Sequence, residues 1–486
     1  MLFNSLDFAI FFPIFFIIYW IFSKKIVARN VLILTSSYIF YAWWDWRFLF
    51  LIIFSSIVDF TIGQKIFKAS KKRTKRNYLI VSLVLNLGFL AYFKYANFFI
   101  DSFIQSFRLF GADLDSYSLH IILPVGISFY TFQTLSYTID IYRERLKPTK
   151  NWLAFFSFVA FFPQLVAGPI ERASHLLPQF FKVYNFNYKL FKSGMLLIAF
   201  GLFKKMVIAD RLAILVNEVY NNPTDHGGQA LIIATIFFAF QIYCDFSGYS
   251  DIAIGIARTL GFDLMKNFDT PYFSKSITEF WRRWHISLST WFRDYVYIPL
   301  GGSRKGKNRM YINLLLVFVI SGLWHGAAIT FIIWGFIHGV IIVIEKATDN
   351  YKTSFFKKIR IDKNNLLERT LFLMITFSIV CFAWIFFRAN SFTDSMYIVQ
   401  NLFKFDPELK NFYSLGLVSS EFNLALVAII ALLGFDYFHR KYNAFKALNR
   451  MHFLVRSVFY VIIAFIIIIF GIYGNDSVSE FIYFQF

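Results

Sequence analysis

The sequence predicts an all-α polytopic membrane protein, and three observations carry that expectation. Hydrophobic residues make up 58% of the 486-residue chain and charged residues only 16%, which is not the composition of a soluble domain. Mean hydropathy is +0.55. The formal net charge of +20 arises from basic clusters set between apolar runs, the pattern of cytoplasmic loops under the positive-inside rule. A nucleic-acid partner would require a basic surface on a soluble fold and is not expected. Cys244 and Cys381 lie inside apolar segments and read as small buried hydrophobes rather than a disulfide.

The elements follow in order. MLFNSLDFAIFFPIFFIIYWIFSKK has neither a basic n-region nor a small-residue cleavage site, so it reads as a retained first transmembrane helix. Lys24, Lys25 and Arg29 place its C-terminal end in the cytoplasm. Val31 to Gly63 is long enough for two short passes hinged at YAWWDWR, Tyr41 to Arg47, and the next loop, Lys65 to Arg76, is again basic. Tyr78 to Ile100 crosses outward with Lys94 near its end, and the polar segment containing Asp101, Asp113 and Asp115 is expected outside. Ile121 to Ile141 returns to a loop marked by Arg143, Arg145, Lys147 and Lys150. Trp152 to Gly168 is too short for a span of roughly 20 residues, and Pro163, Gly168 and Pro169 interrupt it. A re-entrant segment bordering a cavity is expected there.

Phe191 to Ile208 and Ala230 to Leu260 are further helices, the second carrying Asp245 and Asp251 within an apolar span. Carboxylates in that setting face a bundle interior or an aqueous path and are functional candidates. The alternative is satisfaction by a neighbouring Arg or backbone amide. Six residues turn a helix by about 240°, so the two acids do not share a face and do not form an acid/base dyad. Leu371 to Phe387, Leu424 to Phe438 and Val455 to Tyr473 complete the set, flanked by basic runs at Lys357 to Arg360 and Arg440 to Arg450. The total is about 11–13 membrane segments, re-entrant ones included. No internal repeat is visible. The chain reads as one membrane domain, 1–486, with N-terminal helices to 150, a core over 151–346 and C-terminal helices from 347.

Chemistry concentrates between Ser276 and Gly339, which gathers three of the eight histidines and five tryptophans. Ser276 and Glu279 match the S-x-x-E capping box and set a helix start. Ile277, Trp281, Trp284, Leu288, Trp291 and Tyr295 then recur at three- and four-residue steps, predicting one amphipathic helix of the interfacial type. His285 sits beside that stripe, where a structural and a catalytic role are both open. The turn GGSRKGKN, Gly301 to Asn308, nearly matches a nucleotide-binding P-loop. It ends in Asn308 where a magnesium-holding Ser or Thr belongs, and no buried strand precedes it, which excludes a nucleotidase. Its Arg304, Lys305, Lys307 and Arg309 suit anionic headgroups or coenzyme phosphates, or simply a topogenic positive loop. His325 lies between Trp324 and Gly326 in an apolar helix, where a charged imidazolium is costly and a neutral imidazole can act as a general base. His338 follows about 20 Å and about 220° further along a continuous helix, too far to share a metal ion with His325. No metal site is expected.

Four stretches carry a resemblance: VAGPIERASHLLPQF, QIYCDFSGYSDIAIGIARTLGF, FWRRWHISLSTWFRDYVYIPLGG and SGLWHGAAITFIIWGFIHG. Together they resemble the membrane-bound O-acyltransferase (MBOAT) family, in its bacterial alginate and peptidoglycan O-acetyltransferase branch. The opening MLFNSLDFAIFFPIFFIIYW fits that branch, and the likeness runs from residue 1 to about residue 390.

The resemblance implies the MBOAT fold, a ring of membrane helices around a central tunnel in which a cytoplasmic and an outer funnel meet near an essential histidine. By motif that histidine is His325 in SGLWHG, with His285 of FWRRWH as the second. His338, Trp324, Asn313, Asp245 and Asp251 are assigned supporting or tunnel positions, and Trp324, Asn313 and His285 are candidate oxyanion donors. The implied reaction moves an acetyl group from a cytoplasmic thioester, acetyl-CoA, to a hydroxyl of an extracytoplasmic polysaccharide, an alginate-like exopolysaccharide or peptidoglycan. Arg282, Arg283, Arg304 and Lys305 would meet the coenzyme phosphates, with no cofactor resident. A secreted SGNH-type acetyltransferase is the implied partner, and a multi-pass position among the lipids of the bacterial cytoplasmic (inner) membrane is the implied location. Two alternatives stay open. Teichoic-acid D-alanyl transfer from a carrier protein shares the WHIS and LWHG elements, although the longer chain and VAGPIERA favour the acetyl branch. A polysaccharide or ion transporter would instead line its path with Asp245, Asp251 and Lys94.

Overall fold

The computed structural model describes residues 1–109, 119, 121–166, 168–358, 366–405, 413, 415–473 and 481–482. Asp113, Asp115 and residues 359–360 of the basic run lie outside them. The described elements are all helical. Seven are long and apolar enough to cross a membrane: Ile26–Lys68, Lys72–Ile104, Gly228–Thr259, Ile329–Thr348, Leu366–Arg388, Ser419–Tyr442 and Phe453–Phe470. Leu6–Phe22 is a shorter apolar helix. The 43 residues of Ile26–Lys68 would measure about 65 Å as one helix, twice the hydrocarbon thickness. The chain divides them, as the YAWWDWR hinge predicts, into Ile26–Asp45 and Leu49–Lys68. Between the two lies a single 3₁₀ turn, Trp46–Phe48, whose Arg47 amide donates to the Asp45 carboxylate at 2.9 Å.

The chain packs as two compact units, residues 1–198 with 250–265, and residues 199–249 with 266–486. In the first unit the segment expected to be re-entrant is a helix, Trp152–Ala160, that breaks at Phe161, resumes for Phe162–Leu165 and then stays non-helical to Arg172 in the described residues. Neighbouring side chains satisfy the backbone groups around the break. Gln133 Nε2 donates to the Phe158 carbonyl at 2.7 Å, and the Phe162 amide donates to Ser37 Oγ at 3.1 Å. Irregular backbone at membrane depth requires such cover.

VAGPIERA serves to fasten this unit. Glu171 is fully buried, its carboxylate accepting from the Met265 amide at 2.6 Å and lying 2.7 Å from His175 Nδ1. That hydrogen bond raises the pKa of His175 above 6.5, and burial raises that of Glu171. A histidine whose folded pKa exceeds its unfolded one stabilises the fold fully below the unfolded value, and the contribution is lost as pH rises through the folded value. His175→Gln, which keeps a donor but no charge, is expected to lower the melting temperature at about pH 5.5 and to leave it nearly unchanged at about pH 9. A thermal scan at the two pH values checks this.

The second unit holds a hairpin of two helices, Lys307–His325 and Ile329–Lys358. Glycines set its closeness. A Cβ on Gly322 would stand 2.2 Å from the Phe331 carbonyl oxygen, and one on Gly335 would stand 2.3 Å from that of Phe318. Only glycine permits this approach at those two positions. Trp284, Trp334 and Trp384 are almost completely buried beside the hairpin, with Trp334 and Trp384 stacked at 5.7 Å.

Candidate active site

The expected amphipathic helix is broken in two. Ile277–Arg283 begins as predicted, with the Glu279 amide donating to Ser276 Oγ at 3.0 Å, although the Glu279 carboxylate accepts from the Lys275 amide at 2.9 Å rather than from that of Ser276. The helix ends at Trp284. His285 adopts the left-handed conformation, φ 42° and ψ 53°, and starts a second helix, Ile286–Phe292. For a residue with a Cβ that conformation costs on the order of 1 kcal/mol and must be held from outside. Asn267 holds it: its carbonyl accepts from the Ile286 amide at 2.9 Å, and its Oδ1 accepts from Ser287 Oγ at 2.9 Å and more weakly from the Ser287 amide at 3.4 Å. The stripe therefore faces protein rather than a bilayer interface, and Trp281, Trp284, Leu288 and Trp291 are all buried. Periodicity alone does not reveal the break, because three- and four-residue spacing survives across it.

The break carries His285 to His325. Their ring centroids lie 6.4 Å apart, and both side chains are buried. The same Asn267 Oδ1 lies 3.1 Å from His285 Nδ1. Because a backbone amide can only donate, the Ser287 contact identifies that atom as oxygen. His285 Nδ1 then carries the proton, and Nε2 is the lone-pair nitrogen. His325 is the last residue of its helix, which stops at Gly326. Trp324, Trp334 and Phe387 surround its ring at 4.9, 4.9 and 5.5 Å.

His338 lies one aromatic layer away, with Trp334 5.2 Å and Trp281 5.3 Å from its ring. It is fully buried, and neither ring nitrogen has a hydrogen-bond partner among the described residues. No group of three or more His, Cys, Asp or Glu able to hold a metal ion occurs among the described residues.

The remaining expected site residues divide. Asn313 is buried but its Nδ2 donates to the Gly302 carbonyl at 2.9 Å, closing the glycine-rich turn. Twelve residues separate it from His325, about 18 Å along the helix, so it is not an oxyanion donor there. Arg283 is engaged by Glu279 at 3.0 Å and Asp269 at 3.5 Å. Arg304 and Lys305 are exposed on the turn, and Arg282 is exposed at the mouth of a cavity of about 480 Å³. Apolar side chains dominate that cavity, and its lining reaches Trp281 and Ser321, one helical turn before His325.

Asp245 is paired: Lys205 Nζ lies 2.8 Å from it and 2.8 Å from Asp210, and its other oxygen accepts from the Ile482 amide at 2.7 Å. Such pairing with a neighbouring cation and a backbone amide is the alternative to a functional role, with Lys in place of Arg. Asp251 lies on the part of the same helix that packs in the first unit.

Sequence reasoning missed Asn267, Lys205, Asp210, Trp384 and the returning residues Phe481 and Ile482. Phe246 links Phe481 to the site, with Phe481 6.0 Å and His285 4.5 Å from its ring. A visible signal existed only for Lys205, since Lys204–Lys205 interrupts an apolar helix.

This buried histidine pair lies within the segment that matches a family model. Residues 142–387 match the membrane-bound O-acyltransferase family, MBOAT. The chain is 44% identical over 400 residues to a probable alginate O-acetylase of Pseudomonas syringae pv. tomato, covering 80% of this chain and 73% of the relative. It is 35% identical over 432 residues to a peptidoglycan O-acetyltransferase of Helicobacter pylori, covering 83% and 80%. With a teichoic acid D-alanyltransferase of Bacillus subtilis it shares 30% identity over 284 residues, covering 56% and 70%. The chain therefore belongs to the membrane-bound O-acyltransferase family and is a multi-pass membrane O-acyltransferase.

Proposed function

We propose that the protein carries an acetyl group from cytoplasmic acetyl-CoA across the bacterial inner membrane for O-acetylation of an extracytoplasmic polysaccharide, through a secreted SGNH-type partner. The observation that carries this reading is the His285–His325 pair, 6.4 Å apart, next to a cavity that reaches to within one turn of His325. The acceptor hydroxyl oxygen attacks the thioester carbonyl while its proton passes to His325. The tetrahedral oxyanion then collapses, the carbon–sulfur bond breaks, and the proton returns to the coenzyme thiolate. A positioned base of this kind contributes about 10²–10⁴-fold. Arg282 at the cavity mouth, with Arg304 and Lys305 on the exposed turn, supplies the coenzyme phosphates with cations. Arg283 is set aside because Glu279 and Asp269 hold its side chain in place.

Asn267 is a positioning residue in this scheme. Asn267→Ala removes the acceptor of the His285 Nδ1 proton and is expected to lower kcat about tenfold without changing KM for the donor. Asn267→Asp restores that acceptor and should recover turnover with a pH–rate profile displaced upward. A merely structural role would lower kcat equally at all pH values.

Radiolabelled acetyl-CoA supplied to inside-out vesicles tests the reaction. Label on the far side that requires His325 supports it. Label only from a D-alanyl carrier protein would move the chain to the teichoic-acid branch, and transport without acyl transfer would refute the enzyme's chemistry.

A further inference from the structure

A second groove opens between the helices Ile329–Lys358 and Leu366–Arg388, with a volume of about 520 Å³. Ile341, Ile344, Phe372 and Ile375 line it, together with the cations Lys275, Arg282 and Lys346. Ile344 and Ile375 are 52% and 44% exposed, so this wall faces the membrane. The one carboxylate in the groove, Glu345, is held as a hydrogen-bond acceptor by the start of the helix Ile277–Arg283. It accepts from the Ile277 amide at 2.6 Å, the Thr278 amide at 2.9 Å and Thr278 Oγ1 at 2.6 Å. Neither Lys275 nor Lys346 has an ion-pair partner among the described residues. An apolar channel that carries three cations against one carboxylate is complementary to an acyl chain ending in a phosphate.

We propose that this groove is a specific site for an anionic phospholipid, with an acyl chain along Ile341, Ile344, Phe372 and Ile375 and the phosphate between Lys275 and Lys346. The groove adjoins the donor cavity and shares Thr278, Arg282 and Lys346 with it, but the lipid assignment does not depend on the acyl-transfer reading. Glu345 connects it to the reaction centre mechanically, because the carboxylate that holds the start of Ile277–Arg283 sits beside Lys346 on the same helix. A zwitterionic lipid carries its own ammonium next to the phosphate and competes with the lysines for it, so the site discriminates by headgroup charge.

The test is native mass spectrometry of the full purified chain in detergent with equal amounts of phosphatidylglycerol and phosphatidylcholine. The wild type is expected to retain phosphatidylglycerol over phosphatidylcholine by about tenfold, with each of Lys275→Gln and Lys346→Gln reducing that ratio roughly fivefold. Ile375→Trp, at a lipid-facing position where a larger side chain is tolerated, fills the groove with the cations intact and should abolish the preference. Equal retention of the two lipids by the wild type overturns the proposal. So does a preference unchanged in the lysine variants or in Ile375→Trp. Displacement of the lipid by free coenzyme A also overturns it, by assigning the cations to the acyl donor.

Discussion

His325→Ala is expected to lower acyl transfer in membranes by about 10²–10⁴-fold while the protein still folds and inserts. The ring sits where its helix stops, enclosed by Trp324, Trp334 and Phe387 and facing His285. It contributes little to the hairpin, whose closeness comes from Gly322 and Gly335. His325→Gln keeps polarity and most of the volume but has no nitrogen able to take a proton. It should be as inactive as the alanine variant with a near-normal melting temperature. A glutamine variant as active as the wild type would mean that the residue only fills space.

Lys205→Met is expected to have the largest effect on stability, about 3–5 kcal/mol, because it leaves two buried carboxylates without their shared cation. Lys205, Asp210 and Asp245 are all nearly inaccessible, and both ion pairs measure 2.8 Å. Asp245 immediately precedes Phe246, which packs edge-on against His285 at 4.5 Å, so loss of the triad should also loosen the site. Removing all three charges in Lys205→Met/Asp210→Asn/Asp245→Asn should restore most of the stability, as replacement of a whole buried ionic cluster often does. Thermal denaturation in detergent reads both. A transporter reading of Asp245 predicts the opposite order: near-normal stability in each single variant and lost flux.

The parts of the fold legible in the sequence were those governed by hydrophobic length and local chemistry. Apolar runs and basic loops located the long helices, the YAWWDWR hinge marked the turn at Trp46–Phe48, and Ser276 marked a helix start. The break at His285 was not legible. It depends on Asn267, 18 residues earlier, and a stripe at helical spacing reads the same whether or not the helix is continuous. Motif likeness located His285 and His325, but nothing local indicates that their rings meet, since that follows from the broken helix and the glycine-tight hairpin together. The partners of the basic residues were not legible for a comparable reason. A run of arginines does not tell which are neutralised, and only the fold separates Arg283, held by two carboxylates, from Arg282 at the cavity mouth. The pairing of Asp245 was not legible because its cation lies 40 residues away in sequence.

His285 and His325 are expected to act as one catalytic unit, with His285 as the ring partner of the base, and a double-mutant cycle on acyl transfer measures this. His285→Ala, His325→Ala and the pair would be assayed in the same membranes with the same labelled donor. If the two rings serve one proton-transfer step, the double variant should be no slower than the slower single variant, because the second loss removes nothing that still works. Two losses that multiply, or a His325→Ala variant that turns over at the wild-type rate, would show that the two histidines do not work as one unit.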